Sequence, residues 1–217
     1  PPPGVQPKGL LARRSMPIAP DRVRGALETI RSRVVRTPLL ESPLLNELVR
    51  SRRGVADARV FVKAECLQHT GAFKFRGALH KLLCMDDETR GRGVCAFSSG
   101  NFAQALALAA RETGVQCTII APHDAPAVKM ERTRGYGAEL VFSTPAAGEN
   151  REVAAAALAE RFSATSGRTL LHPFDDADVI LGQGTLALEL FEQHAEAGAA
   201  GGAGGGRVAP LFRLLVP

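Results

Sequence analysis

The chain has 217 residues, 45% of them hydrophobic and 23% charged, with a formal net charge of +5. This is enough apolar material for one ordinary domain or two small ones, and it excludes a chain disordered throughout. No run approaches the about 18 consecutive apolar residues of a transmembrane helix, so no membrane partner is expected.

The excess charge lies at the start, where residues 1–36 carry Lys8, Arg13, Arg14, Arg22, Arg24, Arg31, Arg33 and Arg36 against Asp21 and Glu28. A basic arm can touch nucleic acid or serve as a transit peptide. This one lacks aromatic side chains to stack bases, and its three leading prolines oppose a presequence helix. It reads as a solvated, disordered arm over 1–20, with no nucleic-acid partner expected. A helix follows from about Asp21 to Val34. Thr37-Pro38 is extended, because the residue before a proline is pushed out of the helical region. Ser42-Pro43 opens a helix running through Leu48, with proline at the first helical position. Val60–Lys63 reads as a strand delivering the chain to residues 65–78.

There Lys74 stands between Phe73 and Phe75, just after the Thr70-Gly71 turn. Phe75, Ala78, Leu79 and Leu82 follow helical spacing, which places Lys74 in the first turn of a helix. Unpaired N–H groups and the positive end of the helix dipole disfavour a second positive charge there. Desolvation by two phenyl rings would act in the same direction, and a lysine with a lowered pKa is the kind that forms Schiff bases. The residues alone leave open that Lys74 is a solvated lysine on an amphipathic helix.

From residue 94 strands and helices alternate. Val94–Phe97 is an apolar run suited to a strand buried on both faces of a parallel sheet. A helix over 102–112, a strand over 115–121 and a helix from Asp124-Ala125-Pro126 to Gly135 follow. A strand at Ala138–Phe142, a helix at Arg151–Phe162 and a strand at Thr169–Leu171 complete the block, and a last helix spans 185–197. Such alternation predicts an α/β fold with open, mostly parallel sheets and flanking helices. Cys66, Cys84, Cys95 and Cys117 form no C-x-x-C pair, which fits free thiols in a reducing compartment. Cys95 reads as a small core residue.

Ligands lie at the carboxyl ends of parallel strands, which singles out Ser98-Ser99-Gly100-Asn101-Phe102-Ala103-Gln104. Its hydroxyls and free N–H groups at a helix start suit an anion. By geometry alone it is equally an ordinary capped helix.

Lys63-Ala-Glu65, Gln68, Thr70-Gly71-Ala72-Phe73-Lys74 and Arg76-Gly77-Ala78 resemble the K-x-E-x-x-Q-x-T-G-S-F-K-x-R-G-A signature of the pyridoxal-phosphate threonine/serine dehydratase and serine racemase family. Ser98–Gln104 resembles that family's S-S-G-N-H-A/G-Q loop, and Arg36-Thr37-Pro38-Leu39 its early R-T-P-L segment. Residues 121–129, 171–176 and 182–185 resemble its M-P-x-x-A-P-x-x-K, H-P-F-D-D and G-Q-G-T stretches; these read as structural, with His172 a packed loop residue and no metal site. The likeness runs from about Arg36 to Gln193.

The resemblance implies pyridoxal 5'-phosphate as cofactor, bound covalently by Lys74, with Phe73 against its ring and Asn101 on its phenolic oxygen. It implies that Ser98, Ser99, Gly100, Asn101 and Gln104 surround the substrate carboxylate, and that Ser99 is the acid/base on the face opposite Lys74. The implied activity is an ammonia-lyase of serine/threonine-type β-hydroxy amino acids, giving 2-oxo acid and ammonia, with serine racemase as the rival. A cytoplasmic enzyme, dimeric when complete, follows from the same likeness. The implied layout is a small α/β domain at 93–174 inserted in an incomplete larger one, 21–92 with 175–217. Two departures are visible: Ala72 replaces the usual serine, and Phe102 replaces the usual histidine and is expected to make the loop less polar. Gly201–Gly206 reads as a flexible linker. The strand-like Leu211–Val216 ends before a glycine-rich phosphate loop, so the chain reads as truncated, and a non-catalytic remnant is the rival from another class.

Overall fold

A computed structural model describes residues 18–200. The arm through residue 17, the 201–206 glycine run and the 211–216 segment lie outside them. Pro20–Ile30 forms helix α1, which stops short of Val34. The amide of Gln68 takes both backbone groups of Val35, N–H at 3.1 Å and C=O at 2.8 Å, and so draws this stretch out of a helix. Leu39–Glu41 (β1) pairs antiparallel with Phe61–Lys63 (β2). Between them Pro43–Arg53 (α2) begins under a Ser42 side-chain cap and runs past Leu48 to Gly54. Gly54, at φ 67°, takes the left-handed conformation that ends a helix at no steric cost to glycine.

Two 3₁₀ turns, Glu65–Leu67 and His69–Gly71, lead into Lys74–Cys84 (α3). Asp87–Arg92 (α4) is capped by Asp86. Val94–Phe97 (β3), Asn101–Thr113 (α5), Cys117–Pro122 (β4), Ala127–Gly135 (α6), Glu139–Ser143 (β5), Arg151–Ser166 (α7) and Thr169–Leu170 (β6) then alternate. The four strands form one sheet in the order β5-β4-β3-β6, with every neighbouring pair parallel. The α/β fold expected from the alternation is therefore present.

Period-two alternation sorts the β3 side chains between two cores. Val94 and Ala96 join Phe75, Leu79, Leu82 and Leu106 under α3 and α5, while Cys95 packs with Ile120, Ala155 and Ala159 under α7. The two central strands are covered on both faces, β4 buried throughout and β3 buried except at Phe97, which is why they read as unbroken apolar runs. Cys95 and Cys117 are buried, and desolvation pushes their thiols up to about 11 and about 12.

The last helix, Ala177–Ala200 (α8), starts eight residues before the expected 185. Asp176 supplies its cap, its Oδ1 accepting from the N–H groups of Asp178 and Val179 at 2.9 and 3.1 Å. Gly182 and Gly184 lie inside it because they are contact points and not breaks. A Cβ on Gly182 would stand 2.7 Å from the Gly77 Cα and the Arg76 carbonyl oxygen, so α3 and α8 cross backbone against backbone.

Candidate active site

The carboxyl end of β3 is where the sheet order turns: β4 lies on one side and β6 on the other. Such a switch point opens a crevice between the outgoing loops. Residues 98–100 cross from β3 to α5, with Gly100 at the N-cap position and Asn101 exposed in the first turn. Ser98 holds the loop from within, its Oγ accepting from the Gly100 N–H at 3.2 Å. Ser99 donates to Glu152 Oε1 at 3.4 Å. Gln104 is buried, 3% exposed.

Phe102 turns away from this loop. Its ring is 3% exposed within the core under α3 and α5, so it does not make the loop surface less polar, contrary to the expectation above. Position 102 follows Asn101 by about 100° of helical turn, which points the one outward and the other inward. Phe102→His should therefore lower stability by about 1–3 kcal/mol through an unpaired polar ring in an apolar site. Denaturant midpoints of the two proteins would measure it.

Lys74 begins α3 as expected. The chain reaches it through Thr70, a β-branched residue at φ 62° whose buried Oγ1 has no hydrogen-bond partner. That conformation is strained for threonine, and it lies four residues before the amine. The Lys74 Nζ donates to the Pro173 carbonyl oxygen at 3.1 Å and lies 5.2 Å from the Phe73 ring centroid. Burial alone lowers its pKa from the ordinary lysine value, and no carboxylate pairs with it among the described residues. Of the two flanking phenyl rings, Phe73 stands beside the amine, while Phe75 is fully buried and lies edge-on to His69 at 5.0 Å. Pro173 brings the acceptor from the 171–176 turn, where His172 stacks edge-on against Phe97 of β3 at 5.6 Å. Lys74 and Phe97, the last residue of β3 before the 98–101 loop, thus touch the same turn. His172 Nδ1 accepts from the Asp175 N–H at 2.8 Å, the packed role read for it.

The other charged residues of the motif do something the sequence reading missed. Arg76 is fully buried and binds two carboxylates, Glu65 through Nε and Nη2 at 2.9 and 2.8 Å, and Glu189 through Nη1 and Nη2 at 2.8 Å each. Lys63 Nζ donates to Glu189, Gln193 and the Thr37 carbonyl at 2.7, 2.8 and 2.7 Å. Two cations and two anions, saturated with hydrogen bonds, thereby join β2, α3 and α8 beneath the lysine. One signal was legible: Thr185, Glu189 and Gln193 recur every four residues, a polar stripe down one face of α8.

Residues 30–211 match the family model described as pyridoxal-phosphate dependent enzyme. The chain belongs to that family. Among relatives of this pyridoxal-phosphate family, L-threo-3-hydroxyaspartate ammonia-lyase of Saccharomyces cerevisiae is 43% identical over 171 residues, 79% of this chain and 49% of that protein. Serine racemase of Arabidopsis thaliana is 39% identical, covering 79% of this chain and 48% of that protein. The structure of a threonine deaminase from T.th. superposes with a TM-score of 0.71 at 40% identity, over 83% of this chain and 53% of that one. Maize serine racemase gives a TM-score of 0.70 at 38% identity, over 80% and 49%. The chain spans about half the length of the curated relatives it matches.

The residues present fit the family's aldehyde cofactor at its reactive end. A buried amine whose pKa is lowered and which lies beside the Phe73 ring suits Schiff-base formation with that aldehyde.

Proposed function

We propose that the chain carries the reactive half of a pyridoxal-phosphate ammonia-lyase acting on serine/threonine-type β-hydroxy amino acids, releasing a 2-oxo acid and ammonia. The observation that carries this reading is the Lys74 amine, desolvated and, among the described residues, without a carboxylate partner at the start of α3. Pyridoxal phosphate, when bound, supplies an electron sink for charge developing at the substrate Cα. Lys74 would hold it covalently, with Phe73 beside its ring and Asn101 on its phenolic oxygen. Lys74 would also take the Cα proton as general base. Ser98, Ser99, Gly100, Asn101 and Gln104, at the amino end of α5, would receive the substrate carboxylate. A serine racemase is the second reading, and the Ser99 hydroxyl favours it: its O–H, which donates to Glu152, is a proton that could be delivered to Cα on the face opposite Lys74. The domain layout proposed is a small α/β domain at 93–174 beside 21–92 and 175–217. A cytoplasmic homodimer is proposed for the complete enzyme.

Hydride reduction in the presence of pyridoxal phosphate, followed by peptide mass spectrometry, tests the assignment. The cofactor mass is expected on Lys74 and lost in Lys74→Ala. An adduct on another side chain, or none at saturating cofactor, would sink the reading and favour a non-catalytic chain. Ammonia release and D-serine formation from L-serine separate lyase from racemase.

A further inference from the structure

The turn at 171–176 joins β6 to α8 and presents the Pro173 carbonyl to Lys74. It is fixed at several points. The Leu171 N–H donates to the Cys95 carbonyl at 2.8 Å, and the Asp175 N–H donates to His172 Nδ1 at 2.8 Å. Asp176 caps α8. The remaining anchor comes from α3 itself. Lys81 Nζ reaches Oδ2 of both Asp176 and Asp178 at 2.9 Å, with side-chain exposures of 16%, 19% and 31%. Lys81 lies seven residues beyond Lys74, two helical turns along the same face. One helix therefore carries both the amine and the clamp that holds the amine's acceptor.

We propose that Lys81 is a positioning residue for Lys74: by gripping Asp176 and Asp178 it locks the 171–176 turn, so that the Pro173 carbonyl meets the Lys74 amine and water is kept from it. The proposal rests on the reading of Lys74 as the reactive amine. A half-buried cation shared by two carboxylates is worth more than an exposed pair, because the ions are partly desolvated and little screened. Without that cation the two carboxylates repel each other and the turn moves off α3. The Lys74 amine then regains water and reverts toward an ordinary lysine. Burial is what lowers the Lys74 pKa, so its titration reports how well the turn covers the amine.

Competitive acetylation with acetic anhydride across a pH series, read by peptide mass spectrometry on the cofactor-free 217-residue chain, tests this. Lys129 of α6 serves as internal standard. Lys81→Met is expected to raise the Lys74 titration midpoint and to slow its acetylation at pH 8 by about threefold or more. Lys81→Arg, which keeps the cation, should restore both. Asp178→Asn removes one carboxylate, leaves the Asp176 cap intact and should give an intermediate shift even if Lys81→Met fails to fold. A lowered melting midpoint with an unmoved Lys74 profile would assign Lys81 to stability alone and overturn the proposal, as would failure of Lys81→Arg to restore the profile. The assay needs no cofactor: a shifted profile in a chain that takes no pyridoxal phosphate would uphold the positioning role while sinking the enzymatic reading.

Discussion

Glu189→Ala should destabilise the fold by about 3–5 kcal/mol, the range for removing one partner of a buried ion pair. The side chain is 4% exposed and accepts from Arg76 and Lys63. Its removal leaves two cations facing Glu65 alone, in a region with little water to compensate. Burial pushes the Glu189 carboxyl upward, but the bonds from Arg76 and Lys63 outweigh it and hold the pKa below the usual glutamate value. A depressed carboxylate contributes stability that is complete above its unfolded pKa, near 4.5, and lost as pH falls through the folded value. The wild type should therefore lose stability on acidification below about pH 4.5 by more than Glu189→Gln, which has no such proton to take up. Urea midpoints at pH 7 and pH 4 for the three proteins give both numbers. Equal midpoints for wild type and Glu189→Ala would mean that the network contributes nothing to folding.

Gly182→Ala is the second large effect, and it arises from one methyl group. The added carbon would fall 2.7 Å from the Arg76 carbonyl oxygen, the Gly77 Cα and the His80 Cβ. Two of these are backbone atoms, so no rotamer change makes room and the helices must separate. Overpacking of this kind costs about 1–3 kcal/mol, and more where backbone must move. Separation of α3 from α8 also lengthens the Arg76–Glu189 and Lys81–Asp178 bonds, so the loss should approach that of Glu189→Ala. Gly184→Ala is the control: its Cβ would come nearest the Val23 side chain, at 3.1 Å, and α1 can yield. A comparable loss at both positions would refute the backbone-crossing account.

Much of the fold was legible because its central strands, β3 and β4, are covered on both faces. Val94–Phe97 and Cys117–Pro122 carry the apolar runs that parallel sheets require, and Gly135 marks the end of the helix that follows them. The start of α8 was not legible. Gly182-Gln183-Gly184 looks like a break, and only the close approach of α3 gives these glycines a reason to be helical. At the site, spacing placed Lys74 in a first turn and Asn101 at another helix start. Phe102 was misread because a likeness in a loop carries no information about which way a side chain points. The Pro173 carbonyl was beyond reach, since a main-chain acceptor leaves no residue type to notice. The ion network was missed because its members are scattered from Lys63 to Gln193 and meet only after β2, α3 and α8 have docked.

Three letters of the signature, Lys63, Glu65 and Arg76, stand in the girders that join β2, α3 and α8 and not at the Lys74 amine. Selection for folding alone would retain them. A descendant that had given up turnover would go on displaying the same pattern, and damage to these letters would show first as poor yield of soluble protein and only afterwards as slow chemistry.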